Sequence, residues 1–442
     1  MYYVRFLRLT IILLFVIKYS YSQNDSVSVE LRIQLDSTTA SIYNNAMDLY
    51  YQKNYPLAIK KLKLVIDKYS SYEPAYEALA QSLIYNGDNH AALKYLNTLI
   101  SITKKNDDTS ILSEAYNMRG NTLFNMGDTI NAIKDFDSSL IINPNDIYTY
   151  LNFGQYYGSK KNYNKAFDNI DKAISLDSTI YEGYVLKGIL YWQLYDYPDA
   201  EQALNKAIAL DSTNTDAYYY RAMTMYFQKR YRKAINDMRR VQIYNLPEGS
   251  LGPKEYFYYL GASYYKLQEF DTAIKYLSLV LKYDKEEPST YYFLGNCYLN
   301  ISQYNQALKY LSKYNKLSPS DVDGYSLMGL TYIELEQYNK AIDILNKALK
   351  MDSADYFLQY SYGRLYFKQN HYKEALETFN KSIALMNDTI NHNKVGGPYY
   401  YRAQVYFKLN NIDSGCSDLR SAKELGYSSD EIDKLLKQYC TH

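Results

Sequence analysis

Apolar positions along the chain fall into pairs of helical stripes that recur at a fixed interval. Within Glu182–Asn214, Tyr184, Gly188 and Tyr191 share one face at helical spacing, and Ala200, Leu204 and Ala207 form a second stripe. Between the stripes, Leu194-Tyr195-Asp196-Tyr197-Pro198 reads as a polar turn, with proline where a new helix begins and needs no amide donor. Asp211-Ser212-Thr213-Asn214 then supplies turn and cap formers. The pattern predicts helix, tight turn, helix, loop.

That unit recurs eleven times. Ala46, Ala80, Gly120, Gly154, Gly188, Ala222, Gly261, Gly295, Gly329, Gly363 and Ala403 are each followed twelve positions later by another small residue. The second set is Ala58, Ala92, Ala132, Ala166, Ala200, Ala234, Ala273, Ala307, Ala341, Ala375 and, more weakly, Gly415, and most copies lie 34 residues from the next. Such a period means stacked helical hairpins, in one quasi-one-dimensional body rather than two or three globular domains. Gly188 and Ala200 are expected to be small because the two helices cross closely there. The step lengthens at 103–109, 245–253 and 387–398, which read as loop insertions four units apart. Duplication of a four-unit block and simple tolerance of surface loops both account for that spacing. The longer loops are candidate contact points, 246–253 above all.

The arrangement resembles the tetratricopeptide repeat family, a 34-residue unit with small residues at its eighth and twentieth positions. Tyrosine holds the eleventh position at Tyr157, Tyr191, Tyr264, Tyr298, Tyr332, Tyr366 and Tyr406. An aromatic precedes the second helix as Tyr55, Tyr163, Tyr197, Tyr231, Phe270, Tyr304, Tyr338 and Tyr372. The family's closing proline survives only as Pro144 and Pro319, and Asp-Ser pairs such as Asp211-Ser212 replace it elsewhere. The resemblance covers residues 39–425. It implies an all-α, right-handed superhelical α-solenoid of about eleven helix-turn-helix units, with a C-terminal capping helix in 426–442.

In this family the first helices line a concave face that binds a peptide or protein partner. Its ligand-facing positions map onto Tyr219, Met223, Tyr226, Phe227, Tyr258, Tyr265, Tyr292, Tyr360, Arg364, Phe367, Tyr400 and Phe407, with Lys266, Asn296, Glu334, Lys368 and Lys408 adding polar groups. The alternative for several of these rings is packing on neighbouring helices. A clamp for a carboxyl terminus is not expected, since Asn121 and Asn152 match it but Asn117 and Glu182 stand where cations are required.

Composition adjusts this picture in a few places. There are 57 tyrosines and a single tryptophan, Trp192. A ring that packs between helices while its hydroxyl reaches water suits the architecture. The same tyrosines leave a second reading open, a carbohydrate or cell-wall-glycan binder. Charge is balanced and scattered, so no basic stripe is available to neutralise phosphates and nucleic acid is not expected as a partner.

Arg5 and Arg8 precede an apolar run from Leu9 to Ile17, and Ser20-Tyr21-Ser22 offers small residues for cleavage. The expectation is a signal peptide over 1–22, a polar lead over 23–38 and an exported, periplasmic or secreted protein; a retained anchor is the alternative. No cysteine follows the run, so a lipid anchor is not supported. If the last two helices pack antiparallel about Tyr427, Cys416 lies eleven residues before the turn and Cys440 thirteen after it. At ~1.5 Å per residue the mismatch is about 3 Å, which predicts a Cys416–Cys440 disulfide stapling the cap.

Chemistry is not signalled. His90, His371, His392 and His442 have no partner at a metal-ligand spacing, and no phosphate loop, nucleophile elbow or paired-carboxylate motif appears. Cys297 reads as an inert core thiol. The chain is expected to be a non-enzymatic scaffold without cofactor or metal.

Overall fold

The computed structural model describes residues 34–243, 253–388, 395–427 and 430–440. The leader, most of the polar lead, the second lengthened step apart from Pro253, and positions 389–394 of the third lie outside them. The described residues form helices and no strand. The chain divides into two compact units at residues 252 and 253. In the first, the pairs are α1 (Ser37–Tyr51) with α2 (Tyr55–Lys68), α3 (Glu73–Tyr85) with α4 (Asn89–Asn106), α5 (Thr109–Asn125) with α6 (Thr129–Ile142), α7 (Ile147–Ser159) with α8 (Tyr163–Leu176), α9 (Tyr181–Gln193) with α10 (Tyr197–Leu210), and α11 (Thr215–Phe227) with α12 (Tyr231–Ile243). In the second they are α13 (Pro253–Lys266) with α14 (Phe270–Tyr283), α15 (Pro288–Asn300) with α16 (Tyr304–Leu317), α17 (Val322–Glu334) with α18 (Tyr338–Leu349), α19 (Tyr356–Lys368) with α20 (Tyr372–Asp388), and α21 (Gly397–Lys408) with α22 (Ile412–Glu424), followed by α23 (Asp430–Tyr439). The fold is an all-α helical solenoid.

Each hairpin closes the same way. The residue after the first helix takes a left-handed conformation, and the next amide reaches back to the eleventh-position carbonyl, as in Asp196 N–H to Tyr191 O at 2.9 Å. Glycine fills the left-handed position only as Gly87 and Gly127; Lys53, Lys161, Tyr195, Lys229, Gln268, Ser302, Glu336, Asn370 and Asn410 hold it with φ between 58° and 62°. That conformation costs a residue with a Cβ about 1–2 kcal/mol, so hairpin packing overrides local preference nine times. The following helix starts on a cap such as Asp88, Asp128 or Asp196, whose carboxylate accepts a backbone N–H of its first turn.

Close crossing of the two helices differs in one respect from the sequence expectation. The space left by Gly188 is filled by Leu204, not by Ala200: a Cβ there would sit 2.5 Å from Leu204 Cγ. Gly363 meets Phe379 in the same way, sixteen residues on. Larger residues at the eighth position would therefore collide with the ridge of the partner helix.

Two further devices were not anticipated. Arg119 donates twice to Asp135, its partner in the same hairpin, and once to Asn97 on the preceding second helix. Arg221 repeats this with Asp237 and Asn205, and Arg402 with Asp418 and Asn380, so one guanidinium ties two successive hairpins. Tyrosine at the fourth position of the first helix, in Tyr76, Tyr150, Tyr184, Tyr291 and Tyr325, donates its hydroxyl to the carbonyl six residues earlier. That pins the loop between hairpins, which phenylalanine could not do.

The step at 103–109 is not a loop insertion. The extra residues lengthen α4 and α5, and only Asp107 (φ 56°) and Asp108 make the turn, Asp108 capping α5 through Ile111 N–H. Thr103 is buried in the added turn and its hydroxyl donates to the carbonyls of Leu99 and Ile100, so helix rather than loop continues there. Likewise 387–388 continue α20 and Pro398 lies in α21. Only the residues between remain for a connection there.

Within each unit, the first helices of neighbouring hairpins pack on one another (α3 on α5, α7 on α9, α15 on α17, α17 on α19), whereas successive second helices do not. Closer spacing on one side makes the first helices the inner, concave lining of each unit. At the C-terminus α23 packs on α22, with the sulfurs of Cys416 and Cys440 at bonding distance and their Cα atoms 5.7 Å apart. Tyr439 stacks on Phe407 at 4.4 Å, and Tyr400 donates to Glu431 at 2.6 Å.

Candidate interaction surface

The residues mapped to the concave face separate into core and surface. In the first unit Tyr219 (1 % exposed) and Met223 (4 %) are core; Tyr226 is half-buried and Phe227 exposed, stacked on Tyr197. In the second unit Tyr360 and Tyr400 are buried, and Phe407 lies beneath the capping helix. Tyr219, Tyr360 and Tyr400 therefore pack rather than present a surface. Tyr258, Tyr265, Tyr292 and Phe367 remain half-buried on the inner helices. Tyr258 and Tyr265 both lean on Phe293, at 5.9 and 4.9 Å, and Lys266 lies over the Tyr265 ring. Asn296 is bonded to Asn300 on its own helix, and Lys408 is exposed.

Arg364 is the most enclosed charge of the second unit's inner face. Its guanidinium carbon is 4.4 Å from the Tyr401 ring centroid and 5.8 Å from that of Tyr360, and it pairs with Glu334. Lys368 adds a second contact to Glu334 at 3.3 Å. Stacking plus a carboxylate is the environment that a desolvated guanidinium favours. Its carboxylate partner comes from within the chain, while its Nε is buried without a hydrogen-bond partner among the described residues.

The first unit carries a different inner face, missed in the sequence because only the middle and later units were mapped. Glu77 and Glu114, at the fifth and second positions, are each other's charged neighbours, and neither pairs with a lysine or arginine among the described residues. Burial first, and then Glu114, push Glu77 to about 8; burial, Asp146 and Asp108 push Glu114 to about 7. Beside Glu77, Tyr50 is pushed up to about 12, chiefly by burial, and its ring lies 5.7 Å from Tyr85, which stacks on Tyr55 at 5.1 Å. At the ninth position, where the second unit has Arg364, this unit has Gln81 and Asn121. Gln81 donates to Glu77 at 3.2 Å. Asn152, which matches a clamp position, and Asn117, which stands where a clamp needs a cation, are buried and bonded to each other, and Asn117 also donates to Thr149.

Among the described residues no set of three His, Cys, Asp or Glu side chains converges as a metal site. His90 and His371 are exposed, and His392 and His442 lie outside the described residues. Cys297 is buried, which pushes its thiol up to about 12 and leaves it un-ionised at neutral pH. No helix among the described residues is long and apolar enough to cross a membrane.

Comparison with known proteins bears on the repeat itself. Family models described as tetratricopeptide repeat match residues 73–106, 113–146, 147–180, 185–248 and 332–392, and one described as anaphase-promoting complex, cyclosome, subunit 3 matches 266–348. Tetratricopeptide repeat protein 6 of Homo sapiens is 28% identical over 130 residues, which is 29% of this chain and 24% of that protein. The chain thus spans about a quarter of the length of this curated relative. Among solved structures, the APC/C hetero-tetramer Cut9-Hcn1 aligns over 91% of each chain at 13% identity and a TM-score of 0.42. Yeast Tom70 aligns over 91% of this chain and 95% of its own at 13% and 0.40. YrrB, described as a TPR protein with an unusual peptide-binding site, aligns over 43% and 95% at 22% and 0.39. Repeats of this family are typically non-catalytic, and they make the molecule a protein-interaction scaffold. With the period, the anchors and the matched models in agreement along most of its length, the chain belongs to the tetratricopeptide repeat family.

Proposed function

We propose that the protein is an exported scaffold whose inner helices hold an extended peptide, or an element of a partner protein, in the bacterial envelope. The observation that carries this reading is the row of half-buried rings on successive first helices, Tyr258, Tyr265 and Tyr292, with exposed Lys266 beside them. Tyrosine offers large contact area at little entropic cost, and interspersed polar groups orient a backbone. Export is supported by Arg5 and Arg8 ahead of the apolar run Leu9 to Ile17, and by the juxtaposed Cys416 and Cys440, since disulfides persist in oxidising compartments.

The test is a crosslinking capture from envelope extract with wild type and a Tyr226→Ala/Tyr258→Ala/Tyr292→Ala variant that keeps native helical circular dichroism. A protein captured by wild type alone supports the reading and names the partner. Equal capture by both moves the contact to the outer helices or loops, and recovery of glycan without protein favours sugar binding. N-terminal sequencing of the mature protein should begin at Gln23; an intact Met1 in the cytoplasmic fraction would overturn export.

A further inference from the structure

We propose that the outer face of α2, where Leu57 and Leu64 stand among Lys60, Lys61 and Lys63, docks on a bilayer surface that presents anionic phospholipid headgroups. This face belongs to the second, outer helix of the first hairpin, and what it meets is separate from what the inner helices hold.

The helix buries Ala58, Leu62, Val65 and Ile66 in its own unit. Helical spacing then places Leu57, Lys60, Lys61 and Leu64 together on another side, at i, i+3, i+4 and i+7. Leu57 is 47% exposed and Leu64 53%, two turns and about 10 Å apart along the axis. Lys60 and Lys63 are exposed and Lys61 is half-buried. Asp67 is the one acidic residue of the helix, against four lysines. Among the described residues Lys68 pairs with Asp36 at 2.6 Å, and no ion pair engages Lys60, Lys61 or Lys63. Tyr51, where α1 ends and the chain turns into α2, is 66% exposed. The next second helix, α4, exposes Lys94, Lys104 and Lys105 and contains no acidic residue. Charge that balances over the whole chain is therefore one-sided on these two helices.

A single exposed leucine calls for no partner. Two on one stripe, interleaved with lysines that have no counter-ion, match a surface that is anionic on top and apolar just beneath. Phospholipid headgroups take the ammonium groups, the lysine stems follow them, and the leucines reach the acyl boundary. A tyrosine ring at the edge suits the same interface. A nucleic acid would engage the lysines and leave the leucines in water. With 14 residues, about 21 Å long, α2 is shorter than the ~30 Å hydrocarbon core and has one side committed to the solenoid, so it lies on the bilayer and does not cross it. The chain's net charge of +1 offers no general attraction to an anionic surface, so binding comes from this local field.

The experiment is vesicle flotation with the chain from Gln23 onward, which keeps every described residue. The vesicles are phosphatidylcholine alone, or phosphatidylcholine with about one-third phosphatidylglycerol, at about 0.05 M salt. The expected result is partitioning onto the anionic vesicles roughly tenfold stronger than onto the neutral ones. Lys60→Gln/Lys61→Gln/Lys63→Gln removes that preference. Leu57→Gln/Leu64→Gln weakens binding to the anionic vesicles about fivefold with the charge unchanged. None of the five positions is in the core, and circular dichroism checks that each variant keeps its helices. Lys309→Gln/Lys313→Gln/Lys316→Gln, the same loss of charge on α16 of the second unit, leaves binding as it is. Equal partitioning onto both vesicles, an anionic preference that survives the lysine variant, or full binding by the leucine variant overturns the inference. So does an equal loss in the α16 variant, the mark of a diffuse charge effect, or tighter binding to duplex DNA that the leucine substitutions do not alter. None of these results bears on capture of a peptide by the inner helices, which the tyrosine variant tests separately.

Discussion

The two units place their enclosed charges at different positions of the inner helices, Glu77 and Glu114 in the first and Glu334 with Arg364 in the second. In the second, Arg364 pairs with Glu334 and lies between two tyrosines, while Asp323, on the same helix as Glu334, is pushed up to about 7 by burial, Asp355 and Asp321. In the first, Glu77 and Glu114 face other acids and a neutral amide, and they answer by holding protons. At the ninth position Arg364 gives Glu334 a cationic partner, whereas Gln81 offers Glu77 only a neutral amide. The lesson is that repeat consensus sets where side chains point, while the few non-consensus polar residues set what each face will accept.

The comparison breaks most sharply at Arg364. Arg364→Ala leaves Glu334, which is only 17% exposed at its side chain, with Lys368 alone. Loss of about 3–4 kcal/mol is expected in denaturant unfolding of the second unit, with much of it restored in Arg364→Met/Glu334→Gln, since the cost comes chiefly from stranding a charge. Next is the C-terminal cap of the second unit. Cys440→Ser should destabilise by about 3 kcal/mol on the chain-entropy account. Thiol labelling of the unreduced, unfolded wild type should detect Cys297 only; three reactive thiols would remove the cross-link from the picture.

The third test reads the acidic face directly. Glu77 and Glu114 bind protons more tightly folded than unfolded, so stability is fullest near pH 4.5 and is lost as pH rises toward 8. A fall of up to about 6 kcal/mol between pH 5 and 8 is expected for the first unit from these two groups, flattened in Glu77→Gln/Glu114→Gln. Gln81→Arg should flatten it too, by supplying the cation that the second unit already has. Stability that rises over that range in the wild type would show that these carboxylates are not desolvated. The smallest effect is shared by both units: Lys161→Gly or Glu336→Gly should stabilise by about 0.5–1 kcal/mol, because glycine takes the left-handed turn without strain. Equal gains in the two units would show that the hairpins are interchangeable even though their faces are not.

Most of the fold was legible because the anchors recur at one interval and helical spacing is unambiguous over eleven copies. The cysteine juxtaposition was legible too, from two helix lengths and a turn at Tyr427. The lengthened step at 103–109 misled, since insertions ordinarily go to loops, and only the burial of Thr103 in the added turn shows that the helix continued into the packed face. Exposure of the mapped residues was half legible: Tyr258, Tyr265 and Tyr292 are half-buried, whereas Tyr219, Tyr360 and Tyr400, at the same position as Tyr258 and Tyr292, are buried.

By itself the sequence determined the helix pairs, their turns and their order, because each depends on residues within one 34-residue unit and on contacts that repeat. Only the tertiary structure decided which tyrosines became core, which arginines tie hairpins together and which carboxylates lost their water. Those outcomes depend on spacing between helices from different units, where a shift of an ångström or two separates an enclosed ring from an exposed one and a solvated acid from one that keeps its proton.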